Sequence, residues 1–156
     1  YEVSSAYTMV RNRQRTQFVY RDSLWHGADM FGTGVASFGH IHGYHVQNLD
    51  RWEDYLAALD RGELPLNRAF PTGPRDRMIR EFILQLKTGR LEVGYFRRKF
   101  GTDVIDEFRT PLEELDADGF LTFSDDEIEL TRSGLLQIDR QLPKFFDPQF
   151  RTSRYT

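Results

Sequence analysis

Phe120-Leu121-Thr122-Phe123-Ser124-Asp125-Asp126-Glu127-Ile128-Glu129-Leu130-Thr131 is the stretch on which the fold reading turns. Residues 120–123 and 128–130 are short runs of strand type. Ser124-Asp125-Asp126-Glu127 between them is turn chemistry, so the segment reads as a β-hairpin. Thr131 caps a helix in which Leu135, Leu136, Ile138 and Leu142 recur at helical spacing and point inward, up to Pro143. Ahead of the hairpin stand three more helical patterns. Residues 75–86 carry Met78, Ile79, Phe82, Ile83 and Leu86. Residues 93–100 carry Tyr95 and Phe96 and stop at Gly101. Residues 103–118 turn Val104, Ile105, Phe108, Leu112 and Leu115 inward and end at Gly119; Pro111 inside them implies a kink or a break. Three helices, a hairpin and a closing helix is the order of a winged-helix domain.

A winged helix often reads DNA, but the charges here point the other way. The helix at the recognition position holds Asp103, Asp106, Glu107, Glu113, Glu114, Asp116 and Asp118 against Arg109 alone, and the wing adds Asp125, Asp126, Glu127 and Glu129. A groove-reading element must neutralise phosphates with Lys and Arg. The expectation is a packing or interaction module, with no nucleic-acid partner.

Further upstream the order loosens. Residues 50–62 read as a helix, with Asp50 as its cap, Glu53 completing a capping box, Trp52, Tyr55, Leu56 and Leu59 on one face, and Gly62 as its stop. Leu64-Pro65-Leu66 and Phe70-Pro71-Thr72-Gly73-Pro74 read as an extended linker, because residues before Pro avoid the helical region. In the first third, residues 2–10 read as one ragged strand, 11–15 as a polar loop and 17–20 as a second short strand. Phe31-Gly32-Thr33-Gly34-Val35-Ala36-Ser37-Phe38-Gly39 follows, where glycine density signals tight turns or a close backbone approach. These elements are too few to close a core. The tail from Lys144 on, with its aromatics and arginines, is expected to pack back on the body.

The composition sets bounds on all of this. The 156 residues are 39% hydrophobic and 14% aromatic, with 13 Phe, enough apolar mass for a packed core. There is no Cys, which excludes disulfides and any thiolate-held cluster or zinc within these residues. A net charge of −3 gives no drive toward nucleic acid or anionic membrane. No apolar run approaches the roughly 20 residues that span a bilayer. The first residues lack a signal-peptide pattern and an initiator Met, so the expectation is a cytoplasmic fragment or processed chain.

Several clusters invite chemical readings. Gly32-x-Gly34-x4-Gly39 is a glycine loop whose spacing does not fit a dinucleotide fingerprint, leaving ligand contact or turn geometry. His40-x-His42-x2-His45 could offer three imidazoles to zinc. In an extended strand His40 and His42 share a face and His45 does not, and no further ligand follows, so no metal site is assigned. Arg11, Arg13 and Arg15 alternate; they are either a solvated loop or a grip for substrate carboxylates, and Arg151 and Arg154 carry the same two readings. No nucleophile–His–acid set and no paired carboxylates stand out, so no residue is assigned a catalytic role.

The run from Ala28 to Asn48, with its aromatic-Gly-x-Gly-x-Ala-Ser core and closing Gln47-Asn48, resembles the segment after the last barrel strands in the oxygen-independent coproporphyrinogen III oxidase family. Arg21-Asp22-Ser23-Leu24-Trp25 resembles the lead-in to that loop. Gly62-Glu63-Leu64-Pro65, the helix around Ile79-Arg80-Glu81-Phe82 and Leu130-Thr131-Arg132-Ser133-Gly134-Leu135-Leu136 resemble its C-terminal domain. The resemblance implies an α+β chain: the C-terminal edge of a radical S-adenosylmethionine partial α/β barrel (1–48), a connecting helix and linker (49–74), and a mainly helical winged-helix-like domain with tail (75–156). It implies a parent enzyme that holds a [4Fe-4S] cluster through a Cys-x3-Cys-x2-Cys run outside these residues, uses S-adenosylmethionine, and oxidatively decarboxylates coproporphyrinogen III. Gly32, Gly34, Ala36, Ser37 and Ile41 are the cofactor contacts it implies, and Arg11, Arg13, Arg151 and Arg154 suit the substrate carboxylates. The partners implied are a tetrapyrrole or haem and the rest of the barrel. A haem chaperone of the same superfamily and a stand-alone winged-helix module are the alternatives.

Overall fold

Local chemistry sets most of the element boundaries in the computed structural model, which describes residues 1–151. In chain order they are β1 (Glu2–Ser5), β2 (Thr8–Val10), α1 (Val19–Trp25), β3 (Phe38–Ile41), β4 (Tyr44–Asn48), α2 (Trp52–Asp60), β5 (Leu66–Pro71) and α3 (Pro74–Leu86). There follow β6 (Arg90–Glu92), α4 (Val93–Phe100), α5 (Val104–Glu107), α6 (Arg109–Ala117), β7 (Leu121–Phe123), β8 (Glu127–Leu130), α7 (Arg132–Leu136) and α8 (Ile138–Gln141), then two short 3-10 helices, Leu142–Phe145 and Pro148–Phe150. The chain groups into two units, one made of Tyr1–Val19 with the residues from Met78 on, the other of Tyr20–Arg77.

The first unit holds the core. Pro74 opens α3 where a missing N–H costs nothing, and the apolar spacing then carries Phe82 to the centre. Its ring meets Phe108 at 4.5 Å, Phe145 at 5.1 Å and Phe96 at 5.8 Å. Leu86, Leu91, Val93, Leu112, Leu115, Leu121 and Ile128 are buried around them. Phe145 thus brings the start of the tail into the core. Gly101 ends α4 in the left-handed conformation, and Asp103 caps α5 by accepting from the Ile105 N–H at 2.9 Å. Thr131 caps α7, its hydroxyl accepting from the Gly134 N–H at 3.1 Å. The antiparallel sheet runs β6-β8-β7. The buried Glu81 carboxylate accepts from Lys99 Nζ at 2.8 and 2.9 Å and from the Tyr95 hydroxyl, tying α3 to α4.

Several expectations are corrected in this unit. Residues 2–10 form a hairpin, β1 against β2, because the chain turns at Ala6 and Tyr7. Residues 17–20 lead into α1 rather than a strand. The break in residues 103–118 falls at Phe108, three residues before Pro111, so that the proline sits in the first turn of α6 where its missing N–H is harmless. Residues 90–92, read as neither helix nor strand, are the edge strand β6. Leu136 is exposed, because the helix after Thr131 breaks at Gln137 and its inward face rotates to Ile138.

The second unit is a three-stranded antiparallel sheet, β3-β4-β5, with α1 and α2. Residues 66–71 are a strand and not a linker: Pro71 lies at the strand end, opposite Tyr44. Helix α2 is capped by the backbone of Arg51 with no side-chain cap, so the Asp50 capping box does not form. Its apolar stripe faces outward, with Trp52 60%, Leu56 40% and Leu59 46% exposed, while Ala58 is buried. Trp25, Ala58 and Pro65 are buried apolar side chains of this unit, and Gln47 and Asn48 are buried as well.

Candidate functional site

The segment between α1 and β3 is held by bonds that reach it from three elements. Met30 pairs with His40 through two backbone hydrogen bonds of 2.7 and 2.8 Å, which sets the entry of the loop against β3. Gly32 then passes so close that a Cβ would lie 2.0 Å from the Phe38 carbonyl oxygen, and one on Gly39 would lie 2.9 Å from the Met30 carbonyl oxygen. Those two glycines serve close approach of the chain to itself. Gly34 has φ of 103° and Ala36 has φ of 58°, the latter a left-handed conformation costing a non-glycine residue roughly 1 kcal/mol.

Asn48 and Gln47 offset that cost. Asn48 is buried at the end of β4, and its Nδ2 donates to the carbonyls of Gly32 at 3.1 Å and Gly34 at 2.9 Å. Its own N–H donates to the Ser37 carbonyl at 2.9 Å. The neighbouring Gln47 accepts from Arg68 Nε at 2.6 Å and donates to the Ala36 carbonyl at 3.4 Å. Tyr55 on α2 accepts from the Gly34 N–H at 3.1 Å, the Ala36 N–H donates to Leu49, and the Ser37 hydroxyl donates to Thr33.

Gly32, Gly34, Ala36 and Ser37 are therefore gathered into one loop. Ile41 is apart, at the far end of β3 opposite Tyr44 and beside the hairpin turn. The residues missed from sequence are Asn48, Gln47, Arg68 and Tyr55. Their signal was the pair of adjacent carboxamides closing a strand: buried amides require partners, and a glycine loop has carbonyls to offer.

The imidazoles fall differently from the alternation rule. His40 and His45 are directly opposed across β3 and β4, ring centroids 4.5 Å apart, and His45 stacks on Phe38 at 5.3 Å. His42 is in the turn and exposed, its N–H 3.3 Å from the Asp29 carboxylate. The hairpin reverses the chain between residues 41 and 44, so His45 and not His42 joins the face of His40. Among the described residues no group of three His, Cys, Asp or Glu is placed to hold a metal.

Arg11, Arg13 and Arg15 are exposed in a loop turned by Asn12, which accepts from the Arg15 N–H at 3.1 Å. Arg151 is exposed and donates to the Phe146 carbonyl at 3.0 Å, while Arg154 lies outside the described residues. Elsewhere in the same unit Tyr7 donates to Asp139 at 2.6 and 2.8 Å, and Lys87 is 3.1 Å from that carboxylate. Partial burial pushes the Asp139 carboxyl up, but Tyr7 and Lys87 together hold it below its ordinary value. Burial and the Glu81 carboxylate raise the Tyr95 hydroxyl, which stays a proton donor.

Residues 73–136 match the HemN C-terminal domain. The chain is 32% identical over 124 residues to an oxygen-independent coproporphyrinogen III oxidase of Helicobacter pylori, covering 77% of this chain and 27% of that protein. It is 29% identical over 128 residues to the protein of the same name from Synechocystis, with the same shares covered. The chain thus spans about a quarter of the length of the curated relatives it matches. Among solved structures, the radical SAM coproporphyrinogen III oxidase HemN from Escherichia coli superposes with a TM-score of 0.66 at 23% identity, over 76% of this chain and 28% of that one, a likeness that speaks for the fold. Residues 73–136 thus match a HemN C-terminal domain, and the chain is similar to part of the oxygen-independent coproporphyrinogen III oxidases.

Proposed function

We propose that this chain is the C-terminal part of a radical S-adenosylmethionine enzyme that oxidatively decarboxylates the propionate side chains of coproporphyrinogen III to vinyl groups. The observation that carries the reading is the HemN C-terminal domain match over residues 73–136, together with the oxidase relatives on 124 residues. The absence of cysteine puts a thiolate-held [4Fe-4S] cluster outside these residues. When bound there, the cluster and S-adenosylmethionine supply the radical that takes hydrogen from the substrate. What this chain supplies is position and shielding.

The 32–37 loop suits a polar nucleoside ligand. Thr33 is exposed, and the Thr33 and Val35 N–H groups have no acceptor among the described residues, so the loop keeps bare donors there. On this reading Gly32, Gly34, Ala36 and Ser37, with Ile41 further along β3, face the cofactor. Arg11, Arg13, Arg151 and Arg154 serve the propionate carboxylates. Residues 1–48 are the rim of the barrel and 75–156 a winged-helix-like lid, joined by 49–74. The outward apolar residues Trp52, Leu56, Leu59 and Leu64 are a surface for the remainder of the barrel. The acidic α5 and α6 favour protein packing over nucleic acid. A cytoplasmic setting goes with the reading.

The test is the full-length parent. Its gene should encode Cys-x3-Cys-x2-Cys upstream of Tyr1. The anaerobic protein, given S-adenosylmethionine and reductant, should convert coproporphyrinogen III to vinyl product with release of 5′-deoxyadenosine. Tight haem binding with no turnover would replace the oxidase reading with a haem carrier.

A further inference from the structure

The hydrogen bonds of the glycine loop leave it with an unbalanced set of polar groups. The carbonyls of Gly32, Thr33 and Gly34 are all taken, the first and third by the Asn48 carboxamide at 3.1 and 2.9 Å and the second by the Ser37 hydroxyl at 2.7 Å. The N–H groups of Gly34, Ala36 and Ser37 are taken as well. Within residues 33–37, the Thr33 and Val35 N–H groups have no acceptor among the described residues.

Peptide geometry says where those two donors point. All peptide bonds here are trans, and in a planar trans peptide the C=O and the following N–H point in opposite directions. With the Gly32 and Gly34 oxygens drawn inward to the buried Asn48, the Thr33 and Val35 N–H groups are directed away from it. Thr33 is exposed and Val35 half-buried. The Val35 carbonyl also accepts no hydrogen bond among the described residues, so residues 33–35 present two backbone donors against one acceptor, a balance that favours anionic oxygen.

We infer that residues 33–35 form a carboxylate-binding face, with the Thr33 and Val35 N–H groups as its donors and Asn48 as the positioning residue that aims them. This deepens the proposed function and rests on it for the source of the carboxylate: S-adenosylmethionine carries one, and the propionates of a coproporphyrin-type tetrapyrrole carry four.

The first experiment does not depend on that source. The 15N-labelled chain is titrated with sodium propionate, and with sodium chloride at matched ionic strength. The Thr33 and Val35 amide protons should move downfield and saturate with propionate only. In Asn48→Asp, which keeps the size but replaces the donor with a charge, the shift should vanish while the amides of Phe82 and Ile128 stay unmoved. A second variant, with an ester in place of the Gly34–Val35 peptide bond, removes one donor and leaves Asn48 intact; it should abolish the effect at that position. Equal response to chloride, or shifts that survive both variants, overturns the inference.

The second experiment uses the full-length parent. S-adenosylmethionine and coproporphyrin III are each compared with their methyl esters. The ligand that supplies the carboxylate should lose about tenfold in affinity on esterification in the unmodified protein and little in Asn48→Asp. If the chain takes propionate but neither ligand shows this coupling, the face stands and the oxidase reading falls.

Discussion

Gly32 shows what a single residue decides here. A Cβ at that position would lie 2.0 Å from the Phe38 carbonyl oxygen and 2.8 Å from its carbon, both backbone atoms that cannot swing aside. Gly32→Ala must therefore open the loop, at about 1–3 kcal/mol. The amides of Ala36 and Asn48, which donate to Leu49 and Ser37, should lose hydrogen-exchange protection, while those of α3 keep theirs. Unchanged protection at Ala36 would refute the close-approach account. Glycine density made a tight approach legible in the sequence. What the glycine approaches was not legible, because Phe38 and Asn48 reach the loop through a strand pairing that begins only after it. The histidines give the same lesson. Alternation places residues on a face only while the chain stays extended, and the turn after Ile41 moves His45 opposite His40.

At the scale of elements, the β1–β2 hairpin meets the helical part of its unit through polar contacts that titrate. The Ala6 N–H donates to the Lys87 carbonyl at 2.8 Å, and Tyr7, Lys87 and Asp139 form a cluster with the Lys87 ammonium 5.2 Å above the Tyr7 ring. The Asp139 carboxyl is held below its ordinary value of 3.8 in the folded chain. Its contribution is therefore fully present above that value and is lost as pH falls through the lower, folded one. Lys87 is raised above 10.5: burial lowers it, but Tyr7 and Asp139 outweigh burial. Its contribution is present below that value and lost as pH rises through the folded one. Protection of the Ala6 amide should accordingly be greatest in the broad window between the two, and Tyr7→Phe should flatten the acid limb. An acid limb unchanged by Tyr7→Phe would show that the cluster does not hold the hairpin. Helix α3, helix α4 and the β7–β8 hairpin were legible because their apolar spacing agrees with their caps. Strand β5 was not: its flanking prolines suggest a linker, and only β4 supplies the pairing that makes it a strand.

At the scale of the whole molecule, the first unit depends on one aromatic cluster. Phe82 is fully buried among Phe96 of α4, Phe108 at the α5–α6 junction and Phe145 of the first 3-10 helix. Phe82→Ala should cost about 3–5 kcal/mol, against a typical domain stability of about 5–15 kcal/mol. The urea midpoint of the helical signal should fall sharply, and Phe82→Leu should fall by less than half as much. Equal losses would mean that ring packing contributes nothing beyond volume. The second unit has little apolar core of its own and leaves Trp52, Leu56 and Leu59 on its surface. The apolar stripe read for α2 forms, and in this unit Trp52, Leu56 and Leu59 on it are exposed. The helical period places those residues on one side but does not say which side meets protein.

By itself the sequence determined that helical segments and the β7–β8 hairpin lie within residues 75–142, much of the apolar set that fills their core, the acidic character of residues 103–118, and the absence of any thiolate ligand within these residues. These follow from composition and from interactions a few residues apart. Only the tertiary structure decided that β5 pairs, that His45 faces His40, and that Asn48 and Gln47 hold the glycine loop with its carbonyls inward. Each of those depends on which distant backbone group stands opposite, and strand register, unlike helical period, is not written in any local window.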